Sequence, residues 1–333
     1  MDLRDEVDEV AREIRFSGAI RVDRGTATEL AVAYGDADRA HGIANTVDTQ
    51  FGVASGVKGM TAVTVMSLVA DGTLSLATTA RSLLGDDLPL IDDAVTIEQL
   101  LSHRSGIGDY LDEDMQGDIA DYVMPLPVHQ LDTTESFLPV LDGHPTKFPP
   151  GEQFSYCNGG FVVLALLAER ATGEAYHDLV QRRVLVPAGM ADSAFLRSDE
   201  LPGRAAIGYL SLDGPRSNVF HLPVRGNGDG GIYTTLADVS SFWSALFAER
   251  LLPDDLVREM TTARSEPDED GRSYGLGFWL RPQLGSVLLT GYDAGASFRS
   301  VHHSSAETTF TVVSNTSEGA WPVARLLDRL LGV

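Results

Sequence analysis

The sequence holds a single cysteine, Cys157, so no internal disulfide can form and the fold owes nothing to oxidation. Its longest purely apolar run, Phe161 to Ala168, falls far short of the ~20 residues a membrane-spanning helix needs. Basic residues are scarce: 25 stand against 48 acids, a formal net charge of −23. A surface that negative repels phosphate backbones and anionic lipid, which excludes nucleic acid and membranes as expected partners. The opening residues, Met1-Asp2-Leu3-Arg4-Asp5-Glu6, carry neither the basic nor the apolar stretch of a secretory signal, so a cytoplasmic location is expected. Lysine is scarcest of all. Of the 25 basic residues only Lys58 and Lys147 are lysines, so each invites the question of what an arginine could not do there.

What is present is ordinary for a globular protein: 333 residues, 43% hydrophobic and 22% charged, enough for one large domain or two. Apolar residues at three- and four-residue spacing predict a helix over 2–16, and alternating runs predict strands over 18–22 and 28–34. A helix is expected from Ser55 to about Asp71, closed by Gly72. Further helices are expected at 96–102, 159–172, 175–186 and 235–249, among long loops. Strand patterns return at 274–280, 286–290, 297–302 and 308–314, followed by a helix at about 321–331. Neither group of strands makes a stable sheet alone. The expected fold is therefore α+β: one antiparallel sheet built from both chain ends and flanked by helices, with a mostly helical region inserted. Residues 1–72 and 273–333 would form the sheet region and 73–272 the helical one, with the site between them.

Three segments could carry chemistry. In Ser55-Gly56-Val57-Lys58, residues three apart at a helix start share a face. Lys can be tuned toward neutrality and serve as a base for the hydroxyl, whereas Arg cannot. Ser55 at a helix N-terminus would also have the dipole behind a developing oxyanion. A Ser three residues before a Lys also arises by chance. In Tyr156-Cys157-Asn158, an extended segment would point Tyr and Asn to one side, a proton relay beside a carboxamide. A packed aromatic next to a helix cap reads equally from that text. In Thr290-Gly291-Tyr292-Asp293-Ala294-Gly295-Ala296, small residues at a strand end would let a substrate approach a backbone amide, unless they mark only a turn.

Other patterns fail on context. Gly271-Arg272-Ser273-Tyr274-Gly275 matches G-x-S-x-G without the strand before and helix after that a nucleophile elbow needs. Gly226-Asn227-Gly228-Asp229-Gly230-Gly231 matches G-x-G-x-x-G without the preceding strand of a dinucleotide site. His302-His303 would point to opposite faces of a strand, so no metal site is expected, and no cofactor.

Taken in order, the three segments resemble the serine β-lactamase-like superfamily, which includes class C β-lactamases, D-alanyl-D-alanine carboxypeptidases, family VIII esterases and D-amino-acid-releasing peptidases. Phe51-Gly52-Val53-Ala54-Ser55, Leu100-Leu101-Ser102-His103-Arg104-Ser105-Gly106, Pro150-Gly151, Pro187-Ala188-Gly189-Met190 and Gly230-Gly231-Ile232-Tyr233-Thr234-Thr235 extend the resemblance over most of the chain. It implies Ser55 as acylated nucleophile, Lys58 as its proton-handling neighbour and Tyr156 as general base and relay. Asn158 would orient Lys58 and the substrate amide, and the amides of Ser55 and Gly295 would form the oxyanion hole. Where relatives carry Lys-Thr-Gly or His-Thr-Gly, this chain reads Tyr292-Asp293-Ala294. Tyr292 and Asp293 would then meet substrate without the usual cation. An acid there would repel an anionic substrate by a few kcal/mol, on the order expected at 4–5 Å and intermediate dielectric.

The leading expectation is a cofactor-free serine hydrolase, forming an acyl-enzyme on Ser55 with neutral or amine-bearing esters, amides or peptides. A D-Ala-D-Ala carboxypeptidase or β-lactamase is the second reading, and a catalytically impaired penicillin-binding-like ligand-binding protein the third. The irregular segment Asp109–His144 is expected to wall the pocket. Oligomeric state is not legible.

Overall fold

The structure, a computed structural model, describes residues 2–113 and 117–333. Seven strands form the main sheet: β1 (Gly18–Arg24), β2 (Ala27–Tyr34), β3 (Ser273–Tyr274), β4 (Trp279–Arg281), β5 (Ser286–Asp293), β6 (Ala296–His303) and β7 (Thr308–Ser314). Their order is β2-β1-β7-β6-β5-β4-β3, and every neighbouring pair is antiparallel. The sheet is built from both chain ends, joined where Gly18 pairs with Ser314.

Strand alternation decides which face each side chain fills. In β7, Val312 packs with the terminal helices α1 (Leu3–Glu13) and α6 (Ala320–Leu331), beside Val7, Ile20, Val323 and Leu327. Val313 points the other way, into the larger core shared with α2 (Lys58–Ala70), α4 (Asn158–Thr172) and α5 (Leu236–Phe247). Between these lies a short helix, α3 (Ile97–Leu101), started by a capping box of Thr96 and Gln99.

Two expectations change. The pattern read as one strand over 274–280 is two short strands, because Gly277 takes a left-handed φ of 88° and turns the chain. The helix expected over 175–186 is interrupted: an α-helical turn at Tyr176–Val180 passes into a π-helical turn at Gln181–Leu185. Helix α2 is buried almost all round, as an apolar helix inside a core must be. Lys58 is its only charged residue and is 1% exposed. Among the described residues no helix is long and apolar enough to cross a membrane.

Candidate active site

Ser55 sits in a 3₁₀ turn, Ala54–Val57, that feeds directly into α2. The residue before it, Ala54, holds a left-handed φ of 46°, a conformation costly to a residue with a Cβ. The nucleophile candidate therefore stands on a strained turn at a helix start.

One turn on, Lys58 Nζ is surrounded by three oxygens: Ser55 Oγ at 2.8 Å, Asn158 Oδ1 at 2.8 Å and the Asp229 carbonyl oxygen at 2.7 Å. The last two can only accept, so they fix two N–H bonds and aim the third direction at the serine. Burial pushes the Lys58 amine down, against Asp229, Glu113, Asp109 and Asp293, whose negative charge favours the ammonium. Tyr156 moves the opposite way: burial, then the nearby Glu113 carboxylate, pushes its phenol well above the usual range, although a hydrogen bond with Ser55 lowers it. Lys147, the other lysine, makes a salt bridge to Asp112 at 2.8 Å.

Asn158 opens α4, and Asp109 places it. The two carboxylate oxygens of Asp109 accept from the backbone N–H groups of Asn158 (2.6 Å) and Gly159 (2.8 Å). The Asn158 side chain is fully engaged: Nδ2 donates to the Leu111 carbonyl at 2.9 Å and to Glu113 Oε1 at 3.1 Å. Its expected role toward Lys58 has a geometry here. Its expected role as a donor to substrate does not, since both hydrogens are already used.

The third segment also departs from expectation. The Gly295 amide donates to Ser317 Oγ at 2.9 Å, and the Gly295 backbone packs against Gly208. Strand β5 instead meets the nucleophile at Gly291, where an added Cβ would lie 2.1 Å from the Val53 oxygen and 3.1 Å from the Ser55 nitrogen. Asp293 and Ala296 flank a two-residue turn and pair directly. Next to them the Tyr292–Ser297 pair is of the open kind, so the Tyr292 N–H and C=O face away from β6. Strand β4 covers β5 only at residues 286–288, which leaves Tyr292 on an open edge. Thr290-Gly291 thus occupies the place expected of Asp293-Ala294, and the residue in the cation's position is Leu289, 3% exposed.

Ser55, Asn158, Tyr292, Asp293 and Gly295 line one cleft of about 520 Å³. The segment 110–122 supplies part of its wall, apart from residues 114–116, which lie outside the described residues. Asp229, which sequence reasoning passed over, lines it too and accepts a hydrogen bond from the Tyr110 hydroxyl. Burial pushes Asp293 up to about 7, and the Asp229 charge adds to the shift. The segment set aside as a dinucleotide loop contributes through its backbone: besides the Asp229 carbonyl, that of Gly228 accepts from Thr61.

The Beta-lactamase family profile matches residues 3–332, nearly the whole chain. The chain belongs to the Beta-lactamase family. It is a serine hydrolase of the beta-lactamase type. Its sequence is 26% identical over 322 residues to the putative penicillin-binding protein PbpX of Bacillus subtilis, covering 96% of this chain and 76% of that one. It is 28% identical to a D-aminopeptidase of Brucella ovis, covering 95% of this chain but only 60% of the relative's length. Among solved structures, a penicillin binding protein from Bacillus halodurans superposes with a TM-score of 0.91 at 33% identity, over 97% of this chain and 99% of that one.

Proposed function

We propose that this beta-lactamase-family protein hydrolyses neutral or amine-bearing esters and amides through an acyl-enzyme on Ser55. The observation that carries the reading is Lys58, whose two fixed acceptors leave one direction open, toward Ser55 Oγ. Burial favours the neutral form of both groups, which suits the Lys58 amine to take the Ser55 proton and the Tyr156 phenol, expected from the resemblance as general base, to give one.

Ser55 Oγ attacks the substrate carbonyl carbon while its proton passes to the neutral Lys58 amine. The negative charge that forms on the carbonyl oxygen is met by the amides of Ser55 and Tyr292, the latter in place of Gly295. Tyr156 gives its proton to the leaving amine or alkoxide as the bond to the carbonyl carbon breaks, and recovers one from Lys58. Water then attacks the acyl-enzyme by the same route in reverse, releasing the acid and restoring Ser55.

The cleft selects against negative charge. Asp229, Asp293 and Glu113 border it, and Leu289 supplies no cation to offset them. The D-aminopeptidase relative fits a substrate that presents an amine. The test compares an α-amino p-nitroanilide with its N-succinyl derivative and a neutral p-nitrophenyl ester. Turnover of the amine and the ester, lost in Ser55→Ala, is expected. Faster turnover of the succinyl compound, or of nitrocefin, would overturn the substrate assignment.

A further inference from the structure

His103 lies in the Leu100–Gly106 segment, to which the chemistry above gives no part. It holds a left-handed φ of 56°, costly to a residue with a Cβ. It is also 1% exposed, and its Nε2 has no hydrogen-bond partner among the described residues. A strained residue with an unpaired buried N–H calls for a compensating role.

Its contacts converge on Tyr156. The His103 carbonyl accepts from the N–H of Ser155 at 2.9 Å, and His103 Nδ1 accepts from the N–H of Cys157 at 3.0 Å. The residues on either side of Tyr156 are thus both held by one residue. The left-handed backbone is what turns the carbonyl and the side chain of His103 toward the same strand of chain. Between these two bonds the imidazole packs against the phenol ring, with centroids 4.2 Å apart and the planes tilted by 34°. Trp279 stacks on Tyr156, at 6.1 Å with the ring planes 9° apart. With Nδ1 accepting, the proton of the neutral ring is on Nε2, and the imidazole also packs against the rings of Phe161 and Tyr274, with centroids 5.0 and 4.6 Å away. Burial pushes the imidazole well below its ordinary range, so the ring is neutral.

We propose that His103 is the positioning residue that fixes the Tyr156 phenol on Ser55, by hydrogen-bonding both flanking residues and packing against the ring. The inference rests on the proposed role of Tyr156, and it concerns geometry rather than proton transfer by His103 itself. In His103→Phe the ring is kept and the Cys157 acceptor is lost. In His103→Asn an amide oxygen can stand where Nδ1 stood, on a residue type that tolerates left-handed φ.

The test is a double-mutant cycle read as the acylation rate of Ser55 by an α-amino p-nitroanilide, whose leaving amine needs the Tyr156 proton, with KM measured alongside. His103→Phe is expected to slow acylation by about 10- to 100-fold with KM changed less than about twofold. His103→Asn is expected to recover most of that loss. In a Tyr156→Phe background either His103 variant should cost no more than about twofold further, because the group it positions is gone. Equal losses in both backgrounds would overturn the proposal and leave His103 a packing residue. If His103→Phe does not fold, the cycle is run with His103→Asn, whose missing ring contact is expected to cost about 3- to 10-fold only while Tyr156 is present. A wild-type protein that fluorophosphonate does not label at Ser55 would overturn the underlying hydrolase reading, and this proposal with it. Acylation by the p-nitroanilide that falls in Tyr156→Phe but in neither His103 variant would overturn this proposal alone.

Discussion

Replacing Asp293 by Asn removes a charge that the fold holds at a disadvantage. Burial raises its carboxyl from 3.8 to about 7. At 1.36 kcal/mol per unit this sets a ceiling of about 4 kcal/mol. The side chain is only half-buried and keeps water on its cleft edge, so about 2 kcal/mol is the working figure. The sign follows from linkage: a carboxyl raised in the folded state binds its proton better folded than unfolded. Its contribution is most favourable below about pH 4, falls as pH climbs to about 7, and is level above. Asp293→Asn has no such titration. The variant should therefore match wild type near pH 4 and melt higher from pH 7 upward, by roughly 4 °C. Paired melting curves at pH 4.5, 6 and 8 measure it. A Tm difference that does not change with pH, or one that favours wild type at pH 8, would refute the burial argument. The same variant should lose preference for the α-amino p-nitroanilide over a neutral analogue.

Three further outcomes follow from the site. Lys58→Arg puts a permanent cation where the mechanism needs an amine able to take a proton, so ester turnover should fall by about 100- to 10,000-fold while circular dichroism stays native. Gly291→Ala sets a Cβ against the Val53 carbonyl, and β5 must move from Ser55. A loss of about 100-fold in the labelling rate by fluorophosphonate is expected, with a stability cost of about 1–3 kcal/mol in urea titration. Tyr292→Phe should stay within about threefold of wild type in kcat, since the phenol is not used. Tyr292→Pro removes an amide from an edge where proline is tolerated, and should cost about 100- to 1,000-fold. The reverse ranking would return the second oxyanion donor to another residue.

Much of the fold was legible because one signal, strand alternation, ran through both chain ends. Val312 and Val313 on opposite faces are enough to require cover on both sides of the sheet. Ser55 and Lys58 were legible because a helical turn fixes residues three apart, and Tyr156 and Asn158 because they share one short segment. The rest depends on distance across the chain. The resemblance is placed at Tyr292-Asp293-Ala294, although Thr290-Gly291 carries the family's Thr-Gly itself, and the approach of Gly291 to the Ser55 nitrogen decides for the latter. Asp109, Glu113 and Asp229 act through loops whose text carries no period. The Asp229 and Gly228 contributions are carbonyl oxygens, and side-chain chemistry does not reveal where a carbonyl points. The Leu100–Gly106 segment could be recognised, yet His103 reads as one more core histidine until its two backbone partners are seen.

The central claim is that Ser55 is a nucleophile activated by Lys58. It is tested most directly by intact mass and peptide mapping after exposure to a fluorophosphonate, in wild type, Ser55→Ala and Lys58→Arg. A single adduct on Ser55 in wild type, absent in Ser55→Ala and strongly slowed in Lys58→Arg, is the expected result. An adduct on another residue, or labelling as fast in Lys58→Arg as in wild type, would contradict it.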